Sequence, residues 1–313
     1  MTAIMTEALV KDYGRVKAVD CLDLSVAEGA IFGFLGPNGA GKTTTIRMLT
    51  GMARPTSGSA QVAGVNLRSD RKVRAKIGYL PEEPAFYTWM TPLEYLDHVG
   101  RLFGLNSAER QSRSKELLDQ VGLAEVAKRR IGGFSRGMRQ RMGLAQALVN
   151  RPEVLFLDEP VSALDPGGRK EVLDLIVGLR GQCTVFMSTH ILADVERVCD
   201  SVGIIDHGRL IIEANQAELL KRYTIPAFIM ECEPDQETEF FDWAKSLRRL
   251  DWVAFVKVEG LIARVVVRDM AIARTALLAE AVAAQLPLRR FEVVTPSLED
   301  IFLQLVRVER KPE

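Results

Sequence analysis

The sequence is poor in cysteine, and its apolar runs are short. Its four cysteines, Cys21, Cys183, Cys199 and Cys232, stand singly in apolar stretches without CxxC spacing. We therefore expect ordinary core thiols rather than a zinc site or a disulfide framework. The longest stretches without Asp, Glu, Lys or Arg, such as 181–193, contain 13 residues, whereas a helix that spans a bilayer needs roughly 20 apolar residues. We expect no membrane-spanning segment.

The chain also lacks a net charge. Lysine and arginine total 41, as do aspartate and glutamate, so no overall field attracts nucleic acid or an anionic membrane. The first residues, MTAIMTEALVKDYG, lack the basic flank and apolar core of a secretory signal. These features favour a cytoplasmic globular protein with no nucleic-acid partner.

A length of 313 residues suggests two domains, and the sequence pattern changes accordingly. Short apolar runs such as AIFGFL from Ala30 and VLFLD from Val154 alternate with helical stretches. This alternation predicts an α/β domain at 1–222 with a mostly parallel sheet, and helical periodicity predicts a helical subdomain at about 83–150. The remainder, 223–313, reads βαββαβα, which predicts a small α+β domain similar to a ferredoxin-like unit with an extra helix.

One loop carries a phosphate-binding motif. Residues 36–43 read GPNGAGKT, which fits GxxxxGK[ST], and they lie between a predicted strand and a predicted helix. In such a loop the glycines let backbone N–H groups surround an anion, Lys42 reaches the β- and γ-phosphates, and the Thr43 hydroxyl can ligate Mg²⁺. The residues expected at the phosphates are Gly36, Pro37, Asn38, Gly39, Ala40, Gly41, Lys42 and Thr43.

Two acids and a histidine follow later apolar strands. Asp158 ends VLFLD and Glu159 follows it. Beside a phosphate loop, Asp158 would hold the metal and Glu159 would orient or deprotonate the attacking water; a solvated loop is the alternative for such a pair. His190 follows the strand TVFMST, at the strand end where ligands lie in parallel sheets, and it could contact the γ-phosphate. A structural histidine at a helix start is the other interpretation.

These motifs, in this order, resemble those of the ATP-binding cassette (ABC) ATPases over roughly residues 4–220. The resemblance implies ATP hydrolysis, with ATP and Mg²⁺ as cofactors. In that family the aromatic at the position of Tyr13 stacks on adenine, and the segment Gly36–Thr44 is Walker A, so the resemblance adds Thr44 to the residues expected at the nucleotide. Val154–Glu159 is Walker B, Ser162–Asp165 is the D-loop, and His190 is the switch histidine.

Two motifs depart from the usual family pattern. The signature, normally LSGGQ, reads FSRGM at 134–138. It keeps Ser135 and Gly137, so the resemblance implies that its hydroxyl and backbone N–H face a γ-phosphate across a dimer interface. The usual Q-loop glutamine is Glu82, whose carboxylate could reach Mg²⁺ or water and changes the local electrostatics. A solvated loop glutamate is the alternative.

The variants and the ending PSLEDIFLQLV resemble the exporter branch of the family, which includes drug, sodium and antibiotic efflux ATPases. Members of that branch are single-cassette subunits that pair with separately encoded membrane permeases and often carry an accessory C-terminal domain. The resemblance therefore implies two partners: a second cassette, identical or related, and a permease that holds the subunit at the cytoplasmic face of the membrane.

The segment 84–90 concentrates large apolar side chains in a predicted loop. It contains Phe86, Tyr87, Trp89 and Met90. In the family this region borders the groove that receives a permease helix, and burial in the cassette's own helical subdomain is an equal alternative.

The sequence favours an exporter ATPase over two other functions. One is a soluble ABC-type ATP switch that acts on ribosomes or nucleic acid. The relatives of such a switch carry either tandem cassettes joined by a charged linker or cassettes split by a long coiled coil, and neither feature is visible in this sequence. The other is a module that binds ATP without turnover, against which the presence of Glu159 and His190 argues.

Overall fold

The computed structural model describes residues 1–67, 73–162, 164–222 and 227–294. The chain divides into two compact units, Met1–Gln216 and Ala217–Glu313. The division falls inside a short helix, Gln216–Arg222, a few residues before the predicted domain boundary. Among the described residues, no helix combines the length and the apolar character that a bilayer span requires.

The described residues of the first unit form two sheets and the helices that connect their strands. In chain order its elements are β1 (Thr2–Asp12), β2 (Lys17–Ala27), β3 (Ile31–Leu35), α1 (Lys42–Leu49), β4 (Ser57–Val62), β5 (Val65–Asn66), α2 (Val73–Lys76), β6 (Ile77–Leu80), α3 (Pro92–Leu102), α4 (Ser107–Gln120), α5 (Arg136–Ala147), β7 (Val154–Asp158), α6 (Pro166–Gly178), β8 (Thr184–Thr189), α7 (Leu192–Val198), β9 (Ser201–Asp206) and β10 (Arg209–Asn215).

The larger sheet confirms the predicted, mostly parallel core. Its strand order is β10-β9-β3-β8-β7-β6, and every pairing except β9 with β10 is parallel. Every residue of β3, β7 and β8 is buried, which is typical of parallel strands covered on both faces. The carboxyl ends of these three strands lie at one edge of the sheet, where ligands bind in α/β folds.

The second sheet is antiparallel, with the order β2-β1-β4-β5. The apolar runs that predict the parallel sheet do not reveal it, because β1 and β2 alternate buried and exposed residues and carry charges. The pairing of these two strands shifts register between Leu9–Leu22 and Lys11–Val19. Cys21 lies in this shift with φ 50 and is exposed, so the prediction of a core thiol is wrong for Cys21, whereas the other three cysteines are buried.

The predicted helical segment contains α3, α4 and α5. Both α3 and α4 begin with capping boxes, in which Thr91 and Glu94, and Asn106 and Glu109, satisfy each other's backbone N–H groups. The α5 helix begins after Ser135, whose side chain accepts from the Met138 N–H. These caps fix where each helix starts, and the last of them places the signature segment at a helix N-terminus.

The second unit is a small α+β domain. After α8 (Gln216–Arg222), its described elements are β11 (Ala227–Cys232), α9 (Glu237–Leu247), β12 (Val253–Glu259), β13 (Ile262–Val267), α10 (Met270–Ala283) and β14 (Leu288–Val294). The antiparallel sheet has the order β12-β13-β11-β14, and this βαββαβ arrangement agrees with the ferredoxin-like prediction. The predicted extra helix, SLEDIFLQLV, lies outside the described residues.

Candidate nucleotide-binding site

The phosphate loop connects β3 to α1 and requires glycine at defined positions. Gly39 and Gly41 have φ values of 83° and 108°, in the left-handed region that glycine adopts without strain. A Cβ at Gly41 would also collide with the carbonyl oxygen of Ala18. The loop therefore turns tightly against β2 before α1 begins at Lys42, with its backbone N–H groups gathered at the helix N-terminus.

A cavity of about 580 Å³ opens at this loop. Nine residues predicted from the sequence contribute to its wall, and four other residues complete it. The lining residues are Val16, Lys17, Ala18, Asn38, Gly39, Gly41, Lys42, Thr43, Thr44, Glu82, Glu159, His190 and His207.

Lys42 is a buried cation that lines this cavity. Its ammonium donates to the carbonyl oxygens of Gly36 at 2.7 Å and Pro37 at 3.2 Å. It also lies 3.3 Å from Oε1 of Glu159, and both side chains are more than nine-tenths buried, at 6% and 9% exposure. A buried ion pair of this kind is held by the hydrogen bonds that satisfy its remaining donors. These contacts hold the ammonium of Lys42 between the phosphate loop and the carboxylate of Glu159.

Glu159 and His190 are brought together from neighbouring strands. Glu159 follows β7 and His190 follows β8, and these strands pair in parallel. Oε2 of Glu159 lies 3.0 Å from Nδ1 of His190. The backbone of Glu159 has φ 47, a conformation that costs a residue other than glycine about 1–3 kcal/mol and that clusters at functional sites. One carboxylate therefore contacts Lys42 with one oxygen and His190 with the other.

Asp158 also contacts Thr43, which lines the cavity. The Thr43 hydroxyl donates to Oδ1 of Asp158 at 3.1 Å, and the Ser188 hydroxyl donates to the same oxygen at 2.7 Å. Asp158 is 2% exposed. Burial and the nearby charge of Asp158 raise the pKa of Tyr79 to about 12, so that phenol stays protonated beside the acid.

The two loops that follow β6 and β7 touch each other. Glu82 follows β6 and lines the cavity; Ser162 donates to its Oε1 at 3.4 Å. Arg169 of α6 donates to Oδ1 of Asp194 on α7 at 2.7 Å. Burial raises the pKa of Asp194, and the hydrogen bond from Arg169 opposes that shift. This pair ties together the helices that follow the Glu159 loop and His190.

Comparisons with known proteins agree with this geometry. The sequence profile described as "ABC transporter" matches residues 19–162, and that of the "ATP-binding protein DrrA1-3-like, C-terminal domain" matches residues 216–306. The ABC transporter ATP-binding protein YxlF of Bacillus subtilis is 42% identical over 300 residues, which cover 96% of this chain and 98% of that protein. This chain belongs to the ABC transporter ATP-binding protein family. Members of the family bind ATP and hydrolyse it to power transport.

Two further relatives and one solved structure are also similar to this ABC protein. The linearmycin resistance ATP-binding protein LnrL of Bacillus subtilis is 35% identical over 309 residues, 96% of this chain and 97% of that protein. The daunorubicin/doxorubicin resistance ATP-binding protein DrrA of Streptomyces peucetius is 41% identical over 219 residues, 69% and 66% of the two chains. A structure titled "Structure of ATP binding subunit of ABC transporter" superposes with a TM-score of 0.64 at 28% identity, covering 71% of this chain and 93% of that one.

Several residues predicted for the site of this ABC protein do not line the cavity, within the described part of the chain. Gly36, Pro37, Ala40 and Asp158 are not among the residues that line it. Tyr13 is 58% exposed, and the Lys11 ammonium lies 4.9 Å from its ring centroid; the same hairpin presents residues 16–18 to the cavity instead. Ser135 and Gly137, at the N-terminus of α5, are also absent from the wall.

Sequence reasoning missed five residues of the site. Val16 ends the turn between β1 and β2, and Lys17 and Ala18 begin β2; the apolar runs do not reveal the antiparallel sheet that these two strands form. His207 lines the cavity from the turn between β9 and β10, where the dipeptide His-Gly was the available signal. Ser188 is fully buried, and its place depends on strand register.

Proposed function

We propose that this protein is the ATP-hydrolysing subunit of an exporter and drives a separate membrane permease. The observation that carries the exporter assignment is the second unit, which resembles the C-terminal domain of DrrA1-3-like proteins. Likeness over nearly the whole chain to a linearmycin resistance protein supports the same branch. The permease would select the cargo, because in this proposal it forms the route across the membrane and this chain hydrolyses ATP.

Lys42 and the phosphate loop bind the β- and γ-phosphates of ATP in this proposal. The glycine conformations gather backbone N–H groups at the start of α1, and Lys42 adds a full positive charge. For Lys42 to bind phosphate, phosphate oxygens must replace its contact with Glu159. Asn38 and Thr44 complete the loop, and Tyr13 would stack on adenine, as in the family.

The residues present also suit Mg²⁺. The Thr43 hydroxyl and the Asp158 carboxylate converge within 3.1 Å, and Glu82 presents a second carboxylate to the cavity; oxygen ligands of this kind are those that Mg²⁺ prefers. When bound, Mg²⁺ would neutralise charge on the phosphate oxygens. Thr43 and Asp158 would hold it, and Glu82 would stand within reach of it or of its water.

Glu159 would take the proton of the attacking water. Its carboxylate lies 3.3 Å from Lys42 and 3.0 Å from His190. Because phosphate would replace the contact with Lys42, the contact with His190 would be the one that orients the carboxylate before reaction. His190 would hold Glu159 and contact the γ-phosphate. Such positioned general bases contribute about 100- to 10 000-fold to rate.

Two cassettes would close around the nucleotides, as the signature segment implies. Ser135 and Gly137 lie at the N-terminus of α5 and away from the cavity of their own chain. They would meet the γ-phosphate held by Lys42 of a second cassette, identical or related. Loss of that phosphate would remove the contacts that favour closure.

Action across the dimer predicts complementation between two inactive chains. Ser135→Arg should let each monomer bind ATP but prevent closure, because a long charged side chain replaces the hydroxyl facing the partner's nucleotide. A mixture of Ser135→Arg and Lys42→Ala chains contains heterodimers with one intact composite site. We expect ATP turnover in the mixture well above that of either variant alone, once mass spectrometry shows mixed dimers.

Ser112→Arg is the matched control, since Ser112 is exposed on α4 and should keep full turnover. If mixed dimers form and turnover stays at the level of the single variants, the signature does not act across the interface.

The permease would dock on the segment 84–90. In this segment Tyr87 is 46% exposed and Trp89 is 65% exposed, and their ring centroids lie 5.1 Å apart. Phe86 instead packs edge-on against Tyr95 at 5.2 Å, so it anchors the segment to α3. Exposed aromatics over a rigid base are typical of interface hot spots, and this contact would hold the subunit at the cytoplasmic face of the membrane.

Trp89→Glu should therefore weaken binding to permease-containing membranes by about 30-fold, since a hot-spot aromatic contributes about 2 kcal/mol or more. The isolated subunit should keep its melting temperature, because an exposed substitution scarcely affects the core. The measurements are co-sedimentation with permease-containing vesicles and thermal melting.

Met52→Glu is the control, because Met52 lies in the same unit outside the segment 84–90 and is 57% exposed. This variant should bind the vesicles as the parent does. Full retention of the Trp89→Glu variant would remove the docking argument. Co-purification with ribosomes or nucleic acid instead of membranes would favour the soluble switch.

A further inference from the structure

Ser188 lies between the two acids of the site. It is the fifth residue of β8 and pairs in register with Asp158 at the end of β7. Its side chain is completely buried. Because β7 and β8 are parallel and adjacent, this register places one hydroxyl beside both the last residue of β7 and the first residue of the following loop.

The hydroxyl makes two hydrogen bonds whose directions are fixed by chemistry. It donates its proton to Oδ1 of Asp158 at 2.7 Å and accepts from the Glu159 N–H at 3.0 Å. An ionised carboxylate only accepts and a backbone N–H only donates. With Asp158 ionised, neither bond can reverse, and the hydroxyl has a single orientation.

Each bond restrains a different part of the site. Thr43 donates to the same Oδ1 at 3.1 Å, so two hydroxyls donate to one oxygen of Asp158. Neither of these two hydrogen bonds uses the other oxygen, Oδ2. The N–H of Glu159, which also lies 3.2 Å from the Ser188 carbonyl oxygen, anchors a residue whose φ of 47° is costly. That backbone turn points the Glu159 carboxylate at Lys42 and His190.

We propose that Ser188 is a positioning residue for hydrolysis, which orients the carboxylate of Asp158 toward the metal and the backbone of Glu159 toward water activation. The proposal rests on the proposed function, in which these two acids serve the metal and the water. Residues that orient metal ligands typically change metal affinity or activity by 10- to 100-fold when removed.

The test is Mn²⁺ binding to the full-length Ser188→Ala protein in the presence of ADP, followed by electron paramagnetic resonance. We expect Mn²⁺ to bind about 10-fold more weakly and ATP turnover in saturating Mg²⁺ to fall about 10-fold. ADP affinity in excess EDTA should stay within 2-fold of the parent, because the phosphate loop is untouched. A role in packing alone would lower the melting temperature and leave the metal affinity unchanged.

Thr184→Val is the matched control. Thr184 lies on the same strand, is 2% exposed and accepts from the Gly29 N–H at 2.9 Å, so its loss removes a buried hydroxyl at the opposite end of β8. We expect this variant to melt at a lower temperature and to keep the parental Mn²⁺ affinity. Weaker Mn²⁺ binding in Thr184→Val equal to that in Ser188→Ala would overturn the proposal.

Asp158→Asn separates this inference from the proposed function. If Asp158→Asn weakens Mn²⁺ binding and Ser188→Ala does not, the positioning role is wrong and the metal role of Asp158 stands. If Asp158→Asn leaves Mn²⁺ affinity at the parental value, the metal assignment fails and the positioning role fails with it.

Discussion

Glu159→Gln is expected to reduce ATP turnover by about 100- to 10 000-fold while nucleotide binding is kept. The amide preserves the size and most of the geometry of the side chain but cannot accept the proton of the attacking water. It also removes the negative charge 3.3 Å from Lys42, so Lys42 becomes free to bind phosphate without losing an ion pair. ADP should therefore bind at least as tightly to the variant as to the parent, and ATP should accumulate in a closed dimer.

Phosphate release measures the turnover, calorimetry measures the ADP affinity, and size-exclusion chromatography with ATP detects the dimer. Glu153→Gln is the control, because Glu153 precedes β7 and pairs with Lys76 on the exposed surface. That variant should hydrolyse ATP at the parental rate. Parental turnover in Glu159→Gln, with magnesium bound, would falsify the assignment of Glu159 as the base.

Lys42→Ala should weaken nucleotide binding itself by about 10- to 150-fold, the equivalent of about 1.5–3 kcal/mol for hydrogen bonds to a charged partner. The variant loses the ammonium that donates to the carbonyl oxygens of Gly36 and Pro37 in the phosphate loop, and the Glu159 carboxylate loses its neighbouring cation. The added repulsion between Glu159 and the phosphates acts in the same direction. Calorimetry with ADP checks the affinity without interference from hydrolysis.

The double variant Lys42→Ala with Glu159→Gln resolves these two contributions. If repulsion from Glu159 matters, the double variant should bind ADP more tightly than Lys42→Ala alone. Lys76→Ala is the control for a lysine that pairs with an acid at the surface, and its ADP affinity should be parental. Parental ADP affinity in Lys42→Ala would count against the phosphate loop as the nucleotide site.

The local chemistry of the site could be predicted from the sequence because its signals are local. The run 36–43 combines a strand, glycines and a lysine within a few residues, and the backbone geometry that each requires is set by its neighbours. Asp158 and His190 were recognisable for the same reason, since each directly ends or follows an apolar strand. The order of elements also predicted the parallel sheet and the small second unit.

Contacts between distant segments depended on the tertiary structure. Ser188 serves the site only because β7 and β8 pair in one register, and a shift by a single residue would turn its hydroxyl to the other face. The same applies to residues 16–18, which reach the cavity from the β1–β2 hairpin, whose alternating pattern gave no apolar run. Cys21 became exposed through a register shift that no composition rule contains.

The sequence by itself determined that a phosphate loop, two acids and a histidine lie at successive strand ends, because strand polarity and loop chemistry are properties of short segments. Only the tertiary structure decided which donor and acceptor atoms of the site form hydrogen bonds and ion pairs with each other. It joined Glu159 to both Lys42 and His190 and tied Asp158 to Ser188. The physical reason is that hydrogen bonds require donor and acceptor within about 3 Å, a precision that strand pairing and packing supply and that residue order along the chain does not specify.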